Sequence, residues 1–237
     1  MSSIKNKVIL VTGSAIRIGR AISLGLKEAT LVLHYNKSEN EALELQEELK
    51  KYQTKCSLFK ADFNNPSEIK KLFDFVKKKH GSLDVLINNA ATFESKPFLE
   101  IEDFDSSINI NLKAPFIAAQ HAAKIMNPNA SIINICDLTS KMPLKNYALH
   151  GISKAALQYM AKSLAIELSP NIRVNNLLIG LALPSLNQSN EKSAQIAEKH
   201  ALMKRKIELD EIVSGIKFLI QNQYINGTTL DLDGGWI

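Results

Sequence analysis

Tyr147, His150 and Lys154 stand three and four residues apart, so on a helix their side chains share one face. A phenol, an imidazole and an ammonium grouped in this way can hold and pass a proton. Asp137 lies thirteen residues before His150 and closes an apolar run that reads as a strand. Strand ends of that kind present side chains to a ligand in an open α/β sheet. A second set sits near the N-terminus, in the run Thr12-Gly13-Ser14-Ala15-Ile16-Arg17-Ile18-Gly19. It follows the apolar stretch Val8 to Val11 and precedes a helical pattern. Glycine permits the tight turn and lets backbone approach a pyrophosphate, and a helix N-terminus adds partial positive charge. The spacing is Gly-x5-Gly, with Ser14 where a middle glycine could stand.

These residues need elements to hold them. Strands are expected at Val8–Thr12, Thr30–His34, Cys56–Ala61, Val85–Asn88, Ser131–Ile135, Arg173–Leu178 and Thr228–Leu232. Helical patterns lie between them at Gly19–Glu28, Ser38–Tyr52, Pro66–His80, Ile101–Met126, Tyr147–Leu168 and Asp210–Gln221. Apolar runs without polar alternation predict strands covered on both faces. Alternating strand and helix predicts a parallel sheet with right-handed crossovers. The expected fold is therefore α/β: one doubly wound Rossmann-type domain over residues 1–237, with a seven-stranded parallel sheet and helices on both faces. The polar stretch 183–203 interrupts the rhythm and reads as a substrate loop.

Composition narrows the function classes. The chain has 237 residues, 45% hydrophobic and 22% charged, which excludes collagen-like, disulfide-rich and disordered chains. Lys+Arg 29 against Asp+Glu 24 gives a net charge of +5, but the cations are scattered rather than gathered into a stripe, so no nucleic-acid partner is expected. Cys56 and Cys136 lie in apolar runs without metal or redox spacing, so buried thiols and no metal are expected. No apolar run reaches membrane-helix length and no export signal is visible, so a cytoplasmic protein without a membrane partner is expected.

Thr12-Gly13-x5-Gly19, Asn88-Asn89-Ala90 after the fourth strand, Asn111 in the long fourth helix, Asp137, Lys154 four residues after position 150, and Asp233-Gly234-Gly235 follow one another in order. In this order the chain resembles the short-chain dehydrogenase/reductase family over essentially its whole length. The resemblance implies a nicotinamide dinucleotide held by Gly13, Arg17, Ile18, Gly19, Asn89, Ala90, Lys154 and Gly180. It implies that Asp62, with Phe63 beside it, meets the adenine. It also implies a homotetramer or homodimer paired through the helices at Ile101–Met126 and Tyr147–Leu168.

The second strand ends in His34-Tyr35-Asn36-Lys37-Ser38, where an NAD-preferring chain usually has a carboxylate for the ribose 2′-hydroxyl. Lys37 and Ser38, together with Arg17, suit a 2′-phosphate instead, which points to NADPH. Arg17 between the glycines, the His34–Ser38 stretch, Phe93 after Asn89-Ala90, and Asp137 in place of serine are similar to the pteridine reductase and dihydromonapterin reductase branch. That branch implies reduction of a dihydropterin-type ring, with Phe93, Asp137, Tyr147 and Leu183 lining the substrate site.

Two departures stand out. The family's Tyr-x-x-x-Lys reads His150-Gly151-Ile152-Ser153-Lys154, and its Pro-Gly after the sixth strand reads Ile179-Gly180. A histidine beside Lys154 is expected to be mostly neutral and a poor acid. The proton would then come from Asp137, water, His150 or Tyr147, with Lys154 and Asn111 holding the ribose and a water chain. Two other readings stay open: a cofactor-binding homologue impaired in catalysis, and a carbonyl reductase acting on another small substrate.

Overall fold

Successive side chains of a strand point to opposite faces, so uniformly apolar strands must be covered on both sides. The computed structural model describes residues 3–184 and 189–237 and meets that demand. Strands β1 (Val8–Val11), β2 (Thr30–Tyr35), β3 (Cys56–Lys60), β4 (Leu83–Asn88), β5 (Met126–Asp137), β6 (Ile172–Ile179) and β7 (Thr229–Leu232) form one parallel sheet in the order β3-β2-β1-β4-β5-β6-β7.

Ile9 and Val11 of β1 join Ile22 and Leu26 near helix α1 (Arg17–Gly25), Leu45 and Leu49 of α2 (Glu39–Lys50), and Ile212, Ile216 and Leu219 of the helix before β7. Leu10, between them in β1, points the other way. There it packs with Ile69 and Leu72 of α3 (Pro66–His80), Ala118 and Ala122 of the helix before β5, and Ala161 of the helix after it. The one-residue alternation along β1 thus assigns helices to each face.

The sequence expectation of one helix over Ile101–Met126 resolves into three pieces. These are α4 (Asp105–Ile108), a π-turn at Asn109–Lys113, and α5 (Ala114–Ala123). The π-turn buries Asn111, and such turns recur where a helix must aim a functional side chain. Met126 belongs to β5, which is longer than Ser131–Ile135 because its first residues pair loosely with β4 across a register shift. Helix α6 (Ala148–Leu168) follows β5, and α8 (Leu209–Gln221) lies before β7.

The stretch 183–203 is not simply a loop. Residues 185–188 lie outside the described residues, but Asn190–His200 forms helix α7, with Ser189 accepting from the Lys192 amide at 3.2 Å. Its buried residues are the small Ser193 and Ala197, one turn apart, so its apolar signal is too weak to read from sequence. The chain end returns to it through a bridge between Ala201 and Trp236. Among the described residues, no helix is long and apolar enough to cross a membrane.

Candidate functional site

The chain leaves β1 toward β2 and β3, then returns to the other side of β1 as β4. This reversal opens a crevice at the carboxyl ends of the strands, where open α/β sheets take ligands. Its first wall is the glycine turn. Gly13 has φ +61°, and a β-carbon there would meet the Ala90 backbone at 2.9 Å. A β-carbon on Gly19 would lie 1.9 Å from the Gly13 carbonyl oxygen. The Asn89 amide donates to the Thr12 and Gly13 carbonyls, both at 2.9 Å. Thr12 Oγ1 accepts from the backbone amides of Asn89 and Ala90 at 2.9 and 3.0 Å. Asn89 and Ala90 therefore shape the turn from behind. Thr12 was not singled out in the sequence as a site residue, because only the packed turn reveals its three-way role. Helix α1 starts at this turn with no side chain capping it, so its first amides remain for an anion.

At the β2 end the expected group divides. Lys37 is exposed, Asn36 and Ser38 are half-buried, and Ser38 is the N-cap of α2 with no side-chain capping bond. Glu39, the nearest carboxylate in sequence, pairs with Lys60 at 3.1 Å. This donor set fits a phosphate. Tyr35, in contrast, is buried with Ala15 and Ala42. His34 is buried as well, with Nδ1 on the Gly13 amide at 3.1 Å and Nε2 on the Ala61 carbonyl at 3.0 Å. Both ring nitrogens are committed within the protein, so neither is left for the cofactor contact expected of His34. Arg17 is also placed differently. It has φ +52°, and its guanidinium donates to the Pro184 carbonyl at 2.7 Å. Pro184 follows β6, on the opposite side of β1 from β2, so this bond ties Arg17 to that side rather than to Lys37 and Ser38.

Asp62 Oδ1 accepts from the Asn64 amide at 2.9 Å, while Asn65 caps α3 by accepting from Ser67. Phe63 stacks on His34 at 4.0 Å between ring centroids. Ile18 and Leu183 are partly buried and pack against the core on the α1 and α8 face. The Gly180 amide donates to the Leu232 carbonyl at 2.9 Å, and a β-carbon there would press on Asp233 at 3.0 Å.

The second wall gathers titratable side chains around His150. His150 Nε2 lies 2.8 Å from Asp137 Oδ2, and its Nδ1 lies 2.9 Å from the Thr92 carbonyl oxygen. Asn111 Nδ2 is 3.3 Å from Nδ1, but its two hydrogens have nearer acceptors: Ser153 Oγ at 3.0 Å and the Thr92 carbonyl at 3.1 Å. The Thr92 amide donates to Asn111 Oδ1 at 2.9 Å, which fixes that amide's orientation. Both imidazole nitrogens thus face oxygen atoms, Nδ1 the Thr92 carbonyl and Nε2 the Asp137 carboxylate. Burial would raise the Asp137 carboxyl, but the bond to His150, the charge of Lys154 and the bond to Thr139 together hold it well below the usual carboxylate range. The sequence expectation for His150 weighed Lys154 alone, whereas the structure also sets the Asp137 carboxylate against its ring.

Lys154 is buried and donates to the Ile135 carbonyl at 2.8 Å. Burial pushes the neighbouring Cys136 thiol up to about 12, leaving it inert. Asn111 braces the segment after β4 against α6. Phe93 stacks on Tyr147 at 4.6 Å and sets its edge on His150 at 4.7 Å. The structure therefore gathers Asp137, His150, Asn111, Tyr147 and Phe93 at one end of the crevice. A further set was not foreseen from sequence: Asn88, Asn134 and Asn176 hydrogen-bond in file across β4, β5 and β6 at 2.9 and 3.1 Å. Their in-register pairing was the missing signal.

A family model described as Enoyl-(Acyl carrier protein) reductase matches residues 13–237. Hydroxynaphthalene reductase-like protein Arp2 of Metarhizium brunneum (strain ARSEF 3297) is 34% identical over 170 residues, 70% of this chain and 64% of that relative. The match thus spans less than two thirds of the curated relative's length. Among solved structures, a short-chain dehydrogenase from Burkholderia cenocepacia J2315 in complex with NADP is 27% identical. It superposes with a TM-score of 0.92 over 99% of both chains. FolM Alternative dihydrofolate reductase 1 from Brucella canis, complexed with NADP, is 28% identical with a TM-score of 0.92, covering 98% of this chain and 94% of that one.

Proposed function

Because the chain belongs to the short-chain dehydrogenase/reductase family, we propose that it is an NADPH-dependent oxidoreductase that reduces a ring C=N of a dihydropterin-type substrate. NADPH is supported by the uncapped start of α1, by the phosphate-suited Lys37 and Ser38, and by the NADP-bound relatives. The observation that carries the substrate class is the pair between His150 and Asp137, where the family has a phenol. Ketone reduction builds up alkoxide charge and needs a well-placed acid. A ring nitrogen is basic once its carbon is reduced, so it takes a proton from a weaker or less direct source. FolM, with its printed dihydrofolate reductase name, supports the same class.

When bound, NADPH supplies a hydride. The chain's own residues do the rest. Lys37, Ser38 and the amides of α1 would hold the NADPH phosphates, and Lys154 would hold the nicotinamide ribose. Phe93 and Tyr147 offer aromatic faces to a flat ring. The Asp137 side chain is 28% exposed and that of His150 only 1%, so the pair meets substrate through its carboxylate. The proton stored on His150 Nε2 leaves by way of Asp137 and is replaced from water.

The test is NADPH oxidation, followed at the reduced-nicotinamide absorbance, with dihydropterin and ketone panels and a His150→Tyr variant. The parent is expected to turn over dihydropterins and not ketones, and His150→Tyr to raise ketone turnover by at least about 100-fold. Ketone turnover by the parent would overturn the reading. Tight NADPH binding without turnover by either protein would favour a cofactor-binding role, with Phe93 and Tyr147 closed over His150.

The same family membership leads us to propose self-association through α5 and α6. Ile152, Tyr159 and Ile166 recur every seven residues on α6 and are 54%, 73% and 79% exposed, with Phe116 exposed on α5. Light scattering is expected to give a dimer or tetramer mass, and Tyr159→Asp with Ile166→Asp to lower it. A monomeric parent would refute the proposal.

A further inference from the structure

We propose that His34 is a positioning residue that holds the glycine turn in its binding shape and joins that turn to the adenosine end of the crevice. The inference rests on the reading that this crevice holds a dinucleotide. It starts from hydrogen accounting. Nε2 lies 3.0 Å from the Ala61 carbonyl, which only accepts, so Nε2 carries the hydrogen. Nδ1 is then a bare acceptor, and it faces the Gly13 amide at 3.1 Å. The ring is 3% exposed and stacks on Phe63, so its orientation is settled from both sides. Burial lowers the imidazole to about 4, against the opposing influence of the Ala61 bond and the Asp62 charge, and it remains a neutral acceptor near neutral pH.

Gly13 sits at positive φ, so the chain leaves the line of the strand just after its amide. In most phosphate-binding turns the amides are left for the ligand; here a side chain takes one inward. The neighbouring Ser14 does not depend on the imidazole. Its amide and hydroxyl reach the His34 backbone carbonyl at 2.9 and 3.0 Å. Any residue at position 34 can keep those two bonds, whereas the Gly13 bond, the Ala61 bond and the Phe63 stack belong to the imidazole alone. One ring therefore connects the first wall of the crevice to the segment after β3. A turn already ordered in the free protein loses less freedom on binding, so the benefit falls on cofactor affinity rather than on the chemical step.

Two variants separate this role from packing. His34→Asn places a carbonyl oxygen near the position of Nδ1 and keeps an acceptor for Gly13. His34→Leu keeps apolar bulk and has no acceptor. NADPH affinity by titration calorimetry is expected to fall about tenfold in His34→Leu and to be largely restored in His34→Asn. With turnover, KM for NADPH is expected to rise while kcat stays near wild type. Equal affinity in folded His34→Leu and wild type would overturn the proposal, and so would His34→Asn binding as weakly as His34→Leu. Amide exchange at Gly13 needs no ligand and no turnover. Exchange is expected to be slow in wild type and about tenfold faster in His34→Leu. An unprotected Gly13 amide in wild type would also overturn the proposal. Failure of wild type to bind any adenine dinucleotide would sink the cofactor reading instead, and the exchange result would still decide the role of His34.

Discussion

Asp137→Ala is expected to lower folding stability by about 3 kcal/mol near neutral pH, because it leaves the buried His150 ring without its carboxylate partner. Breaking a buried pair typically costs about 3–5 kcal/mol, and the lower end applies because water reaches the Asp137 side. The change also removes the acceptor for the Thr139 amide at 2.9 Å, so the turn after β5 loses its cap. Asp137→Asn separates these effects: it keeps an acceptor for Thr139 and loses the charge. Urea unfolding of the three proteins gives the comparison.

The pH dependence has a definite sign. The folded Asp137 carboxyl lies below its unfolded value, so the pair's contribution is fully present above about pH 4 and drains away as pH falls further, toward the folded value. Wild type and Asp137→Ala are therefore expected to converge in acid and to diverge above it. A constant gap down to strong acid would show that the carboxylate acts through packing alone. Under the proposed function the same variant loses turnover, because the proton on His150 then has no route out.

Arg173→Leu is expected to be as damaging to the fold without touching the crevice. Arg173 is 6% exposed, on a strand interior, and all its bonded partners are carbonyls. Nη1 donates to Leu219 and Ile225 at 3.0 Å each, and Nη2 donates to Ile220 at 3.1 Å. Leu219 and Ile220 lie in the last turn of α8, where carbonyls lack helical partners and the helix end is negative. The guanidinium thus caps α8 from β6 and ties in the segment leading to β7. Leucine removes the donors and leaves three carbonyls to desolvate, a loss of about 3 kcal/mol. Arg173→Lys is expected to recover part of it, since an ammonium can reach fewer of the three. The measurement is chemical denaturation together with NADPH affinity of the folded fraction, which is expected to be unchanged. A leucine variant within about 0.5 kcal/mol of wild type would refute the capping role.

Much of this was legible in the residues themselves. Apolar runs of strand length, alternating with helical periods, determined a parallel sheet covered on both faces, since no other arrangement buries strands such as Val8 to Val11. Gly13 and Gly19, set between the first strand and the first helix, located the ligand crevice, because local backbone geometry suffices to require glycine there. The missing carboxylate at the end of the second strand was equally local.

What the sequence left open depends on contacts between distant segments. Periodicity put His150 and Lys154 on one face of α6, but the ring of His150 finds its partners in Asp137 on β5 and Thr92 after β4. Arg17 and His34 both read as cofactor ligands, yet one turns to Pro184 and the other into the core. Rotamer and packing decide such outcomes, and a one-dimensional pattern carries neither. Helix α7 escaped notice because small residues, which signal little apolar burial, suffice to seat it. The sequence by itself determined where a ligand must sit and what kind of turn receives it. Only the tertiary structure decided which side chains meet in the crevice and which turn into the core, because hydrogen bonds are short and directional and close only when separate elements are packed to within ångströms.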